Sequence, residues 1–174
     1  MAVLDIVLAP DQILRTKTKP VERFDADLHR LLDDMLETMY LAPGIGLAAP
    51  QVGVDQRLCV IDVSGKDETR TPIDLINPEI TWRADETEIA EEGCLSIPQQ
   101  YADVERPAAV RVRFQDRHGK EHEIKADGLL ARCIQHELDH LDGVLFVDHL
   151  SALKRNMLLR KVAKSQRLKT RDDD

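Results

Sequence analysis

The run His136-Glu137-Leu138-Asp139-His140 constrains this chain more than any other feature. At 3.6 residues per turn, positions 136 and 140 lie one turn apart on the same helix face, so both imidazoles can reach one ion. The surrounding sequence predicts that helix, from Asp127 as N-cap to about Leu141, with a stop near Gly143. Glu137 is too close in sequence to His136 to be an easy third ligand, but it is well placed to take a proton from a water on the metal. The plainer reading of the same five residues is a solvated, half-polar helix face, so the question becomes where a third ligand would come from.

Two known continuations of this motif fail here. Metzincins extend it to H-E-x-x-H-x-x-G-x-x-H, and the chain follows as far as Gly143 before placing Phe146 where the last histidine belongs. Thermolysin-like sites take a carboxylate ligand, commonly a downstream Glu, and Leu141 to Asp174 contains none. His149 remains as a downstream candidate, in an apolar, strand-like stretch beside Asp148, where an ordinary surface or capping histidine is the alternative. Upstream, Cys94 lies in Glu91-Glu92-Gly93-Cys94-Leu95-Ser96. A lone Cys in such a setting is usually a small buried hydrophobe. Combined with two histidines it leaves a fourth tetrahedral position for water, the pattern of a catalytic metal site. Cys59 fits a core strand, and Cys133 fits a pocket wall one turn before His136.

Periodicity supplies the frame. Leu28, Leu31, Leu32, Met35, Leu36 and Met39 mark one face of a helix. Pro43-Gly44 breaks it, and Gly44 to Gln51 is rich enough in Gly and Pro to predict a loop. Short β-prone runs cover Arg57 to Val63, ended by Ser-Gly, and Ile73 to Ile76, ended by Asn-Pro. Val110, Val112 and Phe114 alternate with polar residues, and Asp116 to Lys120 supplies a turn into a return strand from Glu121 to Ile124. A third helix starts after Ser151. Mixed elements without regular βαβ alternation predict an α+β fold.

The 174 residues suit one domain, with residues 1–150 as its body and residues 151–174 as a terminal helix of the same domain. Aromatic content of 3% leaves little for a base-stacking nucleic-acid module. The net charge of −8 is unevenly placed. Residues 151–174 hold eight basic and three acidic residues, a balance of +5, which leaves 16 against 29, or −13, for the rest. Three widely spaced cysteines do not resemble a secreted disulfide framework and point to a reducing compartment. Met1 to Leu8 has neither a basic n-region nor a long apolar h-region, and no apolar run approaches membrane-spanning length. The expectation is a cytoplasmic protein without membrane partners, and a monomer.

Taken together, Gly44-Ile45-Gly46-Leu47-Ala48-Ala49-Pro50-Gln51, Glu92-Gly93-Cys94-Leu95-Ser96 and Gln135-His136-Glu137-Leu138-Asp139-His140 resemble, in order and spacing, the three signature motifs of the peptide deformylases. The likeness covers about residues 1–150 and continues into the C-terminal helix of the bacterial form. It implies mixed, mostly antiparallel sheets around a central helix carrying H-E-x-x-H, flanked by N-terminal and C-terminal helices. It also implies an enzyme that hydrolyses the formyl group from the N-terminal formylmethionine of new polypeptides, releasing formate. On that resemblance Cys94, His136 and His140 hold one divalent ion, and water on the ion attacks the formyl carbon. Glu137 acts as base and then acid, while the Gln51 amide and the Leu95 backbone N–H stabilise the oxyanion. Ile45, Gly46, Gly93, Leu129, Arg132 and Cys133 would line the substrate site, with the peptide added as an extended strand. The family uses iron(II) physiologically; the thiolate and imidazoles also suit zinc, nickel or cobalt. Without the resemblance, Gln51 reads as a loop residue capping its own turn and Leu95 as a core leucine.

Two positions depart from the common bacterial pattern. Tyr101 replaces a basic residue, and Arg132 replaces an aliphatic one; the Arg132 stem is expected to cover the methionine side chain while its charge reaches solvent. Beyond the motifs, Lys154, Arg155, Arg160, Lys161, Lys164, Arg167, Lys169 and Arg171 follow a helix with Leu150, Leu153, Met157, Leu158 and Val162 as its apolar residues. Such a helix packs on its own domain, and in similar deformylases it docks the enzyme on the ribosome near the nascent-chain exit. The rival functions are a metallopeptidase with the same water chemistry and a non-catalytic, metal-stabilised ribosome-binding module.

Overall fold

A computed structural model describes residues 2–172. The first long helix, α1, spans Ala26–Leu41 and begins where the Asp25 side chain accepts a hydrogen bond from the Leu28 N–H at 3.0 Å. Seven strands follow: β1 (Gly46–Ala48), β2 (Leu58–Ile61), β3 (Ile73–Arg83), β4 (Thr87–Cys94), β5 (Ile97–Pro107), β6 (Ala109–Gln115) and β7 (Glu121–Asp127). Helix α2 spans Gly128–Leu141, and α3 spans Ala152–Asp172. The strands form a five-stranded antiparallel sheet in the order β1-β2-β3-β6-β7 and a separate antiparallel pair, β4-β5. The architecture is α+β.

The five-stranded sheet is covered on both faces at the β1, β2 and early β3 end, where β2 is apolar throughout, whereas β6 and β7 leave one face to solvent. Leu28, Leu32, Met35 and Met39 of α1 pack on Leu47, Leu58, Val60 and Ile76. On the other side Ala131, Cys133, Ile134, Leu138 and Leu141 of α2 pack on Cys59, Ile61, Leu75, Val110 and Val112. Helix α2 is therefore the central helix, buried along most of its circumference. Its exit depends on Gly143, at φ 76°, where a Cβ would lie 2.6 Å from the Arg15 backbone. A third apolar cluster joins Leu158 and Val162 of α3 to Phe146, Val147, Ile97 and Val104.

Three expectations need correction. Gly44 to Gln51 is not all loop: Gly46–Ala48 pairs with β2 in the register Gly46↔Ile61, and Ala49–Val52 forms a 3-10 turn. Gly46 is there for close packing rather than for a turn. Strand β3 does not stop at Asn77-Pro78 but runs through it by a register shift, with Asn77 at φ 51° bonded to both the N–H and the carbonyl of Val21. Asp127 is the N-cap of α2 as expected, although its side chain makes no capping bond. The stretch around His149 is a 3-10 turn, Phe146–His149, rather than strand-like. The β4-β5 pair had no sequence expectation, because a two-stranded sheet with long exposed faces carries no clear apolar alternation.

Candidate active site

Helix α2 presents His136, Glu137 and His140 toward the end of β4, where Cys94 sits. The Cys94 sulfur and one nitrogen from each histidine lie within 4.8 Å of one another, and among the described residues this is the one Cys, His, Asp or Glu cluster close enough to share an ion. Cys94 Sγ is 3.3 Å from His140 Nε2. His136 Nδ1 is 3.0 Å from Glu92 Oε1. A carboxylate only accepts, so Nδ1 is the donor there and Nε2 is the nitrogen left to face an ion. Burial pushes His140 well below the usual histidine range, and the charge of His136 adds to this, which keeps its ring neutral and able to donate a lone pair. A thiolate and two imidazoles converging from two elements are the donor set of a tetrahedral ion with one position free.

Glu137 is buried, and that burial pushes its carboxyl up to about 7, against the opposing pull of His136 and Arg106. Gln51, fully buried in the 3-10 turn after β1, is held by its Oε1 accepting from the Ala48 N–H at 2.9 Å. Its Nε2 donates to Ser96 Oγ at 3.1 Å and points at the Cys94 sulfur, 3.5 Å away. These groups form the floor of an open groove of about 780 Å³ lined by the β1 segment, the end of β4, the turn after it and α2.

The match to a family model for polypeptide deformylase covers residues 3–156. The chain belongs to the polypeptide deformylase family. The family reaction, removal of the N-formyl group from nascent peptides, is therefore this chain's reaction. A peptide deformylase of Mesorhizobium japonicum is 57% identical over 164 residues, 94% of this chain and 93% of its own length. The crystal structure of a peptide deformylase from Legionella pneumophila superposes with a TM-score of 0.91 at 50% identity, covering 98% of this chain and 99% of that one. The Ehrlichia chaffeensis peptide deformylase, in a complex with actinonin, gives a TM-score of 0.92 at 43% identity, covering 96% and 99%.

Every residue singled out from the motifs lies in or beside the groove except His140, which is buried behind it. Ile45, Gly46 and Gln51 come from the β1 segment, Gly93, Cys94 and Leu95 from the end of β4 and its turn, and Leu129, Arg132 and Cys133 from α2. Burial holds the Cys133 thiol well above the ordinary cysteine range, as it does Cys59, so both stay protonated. His149 is not near the cluster's donor set; its Nε2 contacts Asp139 at 2.8 Å. Arg132 departs from expectation. Its stem lines the groove, but its guanidinium turns inward to Glu92 rather than outward to water.

Three residues with no assigned role belong to the site. Glu92 accepts from Arg106 Nε at 2.5 Å, Arg106 Nη2 at 2.9 Å, Arg132 Nη1 at 2.6 Å and His136 Nδ1 at 3.0 Å. Arg106 also donates to Asp139 at 2.9 Å. Burial would raise Glu92, but the bonds from His136 and Arg106 outweigh it and hold the carboxyl well below the usual range. The signal for Glu92 was only its place two residues before Cys94 in the same motif, since the ladder shifts register between Gly93 and Cys94. Arg106, far along β5, had no local signal at all.

Proposed function

We propose that Cys94, His136 and His140 hold the divalent ion with which this chain deformylates N-formylmethionyl polypeptides, and that Glu137 moves the proton. The observation that carries this reading is the convergence of the three donor atoms within 4.8 Å, Cys94 and His136 lining the groove and His140 just behind it, with Glu137 buried beside them. A divalent ion supplies Lewis acidity there, and iron(II) is the physiological choice, with zinc, nickel or cobalt able to replace it in isolated protein. Glu137 takes a proton from the attacking water and delivers it to the departing amine nitrogen, so that formamide and water become formate and a free amino terminus. The Gln51 side-chain amide and the Leu95 backbone N–H donate to the formyl oxygen as charge develops on it. Ile45, Gly46, Gly93, Leu129 and Cys133 surround the methionine end of the peptide, and the Arg132 stem completes that wall.

Residues 1–150 carry the reaction and residues 151–174 belong to the same domain. The basic face of α3 would meet the ribosome near the nascent-chain exit. No helix among the described residues is long and apolar enough to cross a membrane. We place the protein in the cytoplasm, as a monomer.

The deciding experiment is formate release from formyl-Met-Ala-Ser by protein prepared without oxygen. Glu137→Gln should lower turnover about 10²–10⁴-fold while metal content stays at the wild-type level. Equal turnover in the variant would remove Glu137 from the chemistry, and cleavage of unformylated peptides instead would favour a peptidase.

A further inference from the structure

The three donor atoms come from two elements that no sheet hydrogen bond joins. Cys94 ends β4, in a hairpin whose edges are not paired to the five-stranded sheet, whereas His136 and His140 ride on α2. Their spacing therefore depends on whatever fastens the hairpin to the helix.

Arg132 is placed to do this. From α2 it donates to the Glu88 carbonyl on β4 at 2.8 Å, to the Val104 carbonyl on β5 at 2.9 Å and to the Glu92 carboxylate at 2.6 Å. The other α2 contacts to the hairpin are narrower: Gln135 bonds one β5 carbonyl, of Pro107, and His136, Asp139 and His140 meet only side chains. Arg132 alone reaches the backbone of both strands through these bonds. Its side chain retains 11% exposure, so the bonds to Glu92 and Val104 are partly shielded from water, while the one to Glu88 lies at the surface.

Charge points the same way. Glu92 and Asp139 are balanced by Arg106 and Arg132, and each Glu92 oxygen has two donors, one of the four being the bond from His136. Without Arg132 the buried cluster behind His136 would carry surplus negative charge, and the Glu92 carboxylate would be tied to α2 directly only through His136. The planar fork of arginine satisfies three acceptors in different directions, which a lysine ammonium on its flexible stem does less well.

We propose that Arg132 is a positioning residue that clamps the β4-β5 hairpin onto α2 and so sets the spacing between Cys94 and the two histidines. It rests on the reading of those three residues as the metal site.

The test uses cobalt-loaded enzyme, with Arg132→Met to keep the stem and Arg132→Lys to keep the charge. In Arg132→Met, cobalt should pass to a chelator about 10-fold faster, the thiolate-to-cobalt absorption band should shift, and kcat should fall while KM for formyl-Met-Ala-Ser changes less than about twofold. Arg132→Lys should recover part of each effect. A wild-type release rate and band in Arg132→Met overturn the clamp, whether or not Tm drops. A raised KM with unchanged cobalt readouts also overturns it, by making Arg132 only a groove wall. Neither cobalt readout needs turnover, so lost deformylation alone cannot mimic the result. Absence of the thiolate band in wild-type protein would overturn the metal reading itself, and the clamp with it.

Discussion

A methyl group at Gly46 would lie 2.8 Å from a Glu137 carboxylate oxygen and 2.9 Å from the Cys133 sulfur. Glu137 and Cys133 are only 2% and 5% exposed, so neither can swing aside. Gly46→Ala should displace the carboxylate and lower kcat about 100-fold with metal content retained, measured by steady-state kinetics and metal analysis on the same sample. At Gly93 the same methyl would meet the Tyr101 ring at 2.5 Å, a worse clash on paper. Tyr101 is 61% exposed, however, and can turn away toward the groove mouth. Gly93→Ala should therefore raise KM and leave kcat near wild type, and a kcat loss as large as that of Gly46→Ala would show that Tyr101 is held in place. Both glycines sit in motifs readable from the chain. The contacts that separate their consequences are not, because Cys133 and Tyr101 approach them only through the fold.

Elements differ in how far the sequence foretold them. Helices α1 and α2 and the β6-β7 hairpin were legible because each has one apolar face with its own period. The β4-β5 hairpin was not: of its buried positions, Glu92, Ile97, Val104 and Arg106, two are charged groups that are inside only because they pair. The link from α1 to the groove was equally hidden. Tyr40, in the last turn of α1, donates to Asp62 at 2.5 Å. Asp62 also accepts from the Ser64 and Thr71 N–H groups, and its own N–H donates to the Ile45 carbonyl. Burial pushes Tyr40 up to about 12, with the Asp62 bond adding to it. Burial would raise Asp62 as well, but bonds from Ser64 and Tyr40 win and hold it below the usual aspartate range. A raised tyrosine contributes stability below its unfolded value of about 10, and that is lost as pH climbs toward about 12. A depressed aspartate contributes above its unfolded value of about 4, and that is lost as pH falls through the folded value. Tyr40→Phe should cost about 1 kcal/mol at neutral pH, discounted for partial exposure, or about 2–4 °C in Tm. Thermal melts of both proteins across pH should show the gap narrowing on the alkaline side from 10 to about 12. A gap independent of pH there would mean the hydroxyl contributes packing alone.

At the scale of the molecule, charge is divided between an acidic body and a basic terminal helix, and packing decides what that helix can do. Leu158 and Val162 are 7% and 1% exposed against Phe146, Val147, Ile97 and Val104, and Ile97 and Val104 belong to the hairpin strand opposite the one that ends in Cys94. Removing α3 would uncover that cluster and loosen the hairpin, at roughly 1.5–3 kcal/mol for each buried side chain lost. A truncation therefore confounds docking with stability. Exposed Arg160, Lys161, Lys164 and Arg167 offer a cleaner test, since changing them leaves the apolar seam intact. Replacing all four with Glu should reduce co-sedimentation with ribosomes at low salt and flatten its dependence on salt, because fewer phosphate contacts release fewer counterions. Turnover of free formyl-Met-Ala-Ser should stay at the wild-type level, since among the described residues none of α3 lines the groove. If ribosome binding survives the four changes, the basic face is a solvated surface and α3 serves only to buttress the hairpin that carries Cys94.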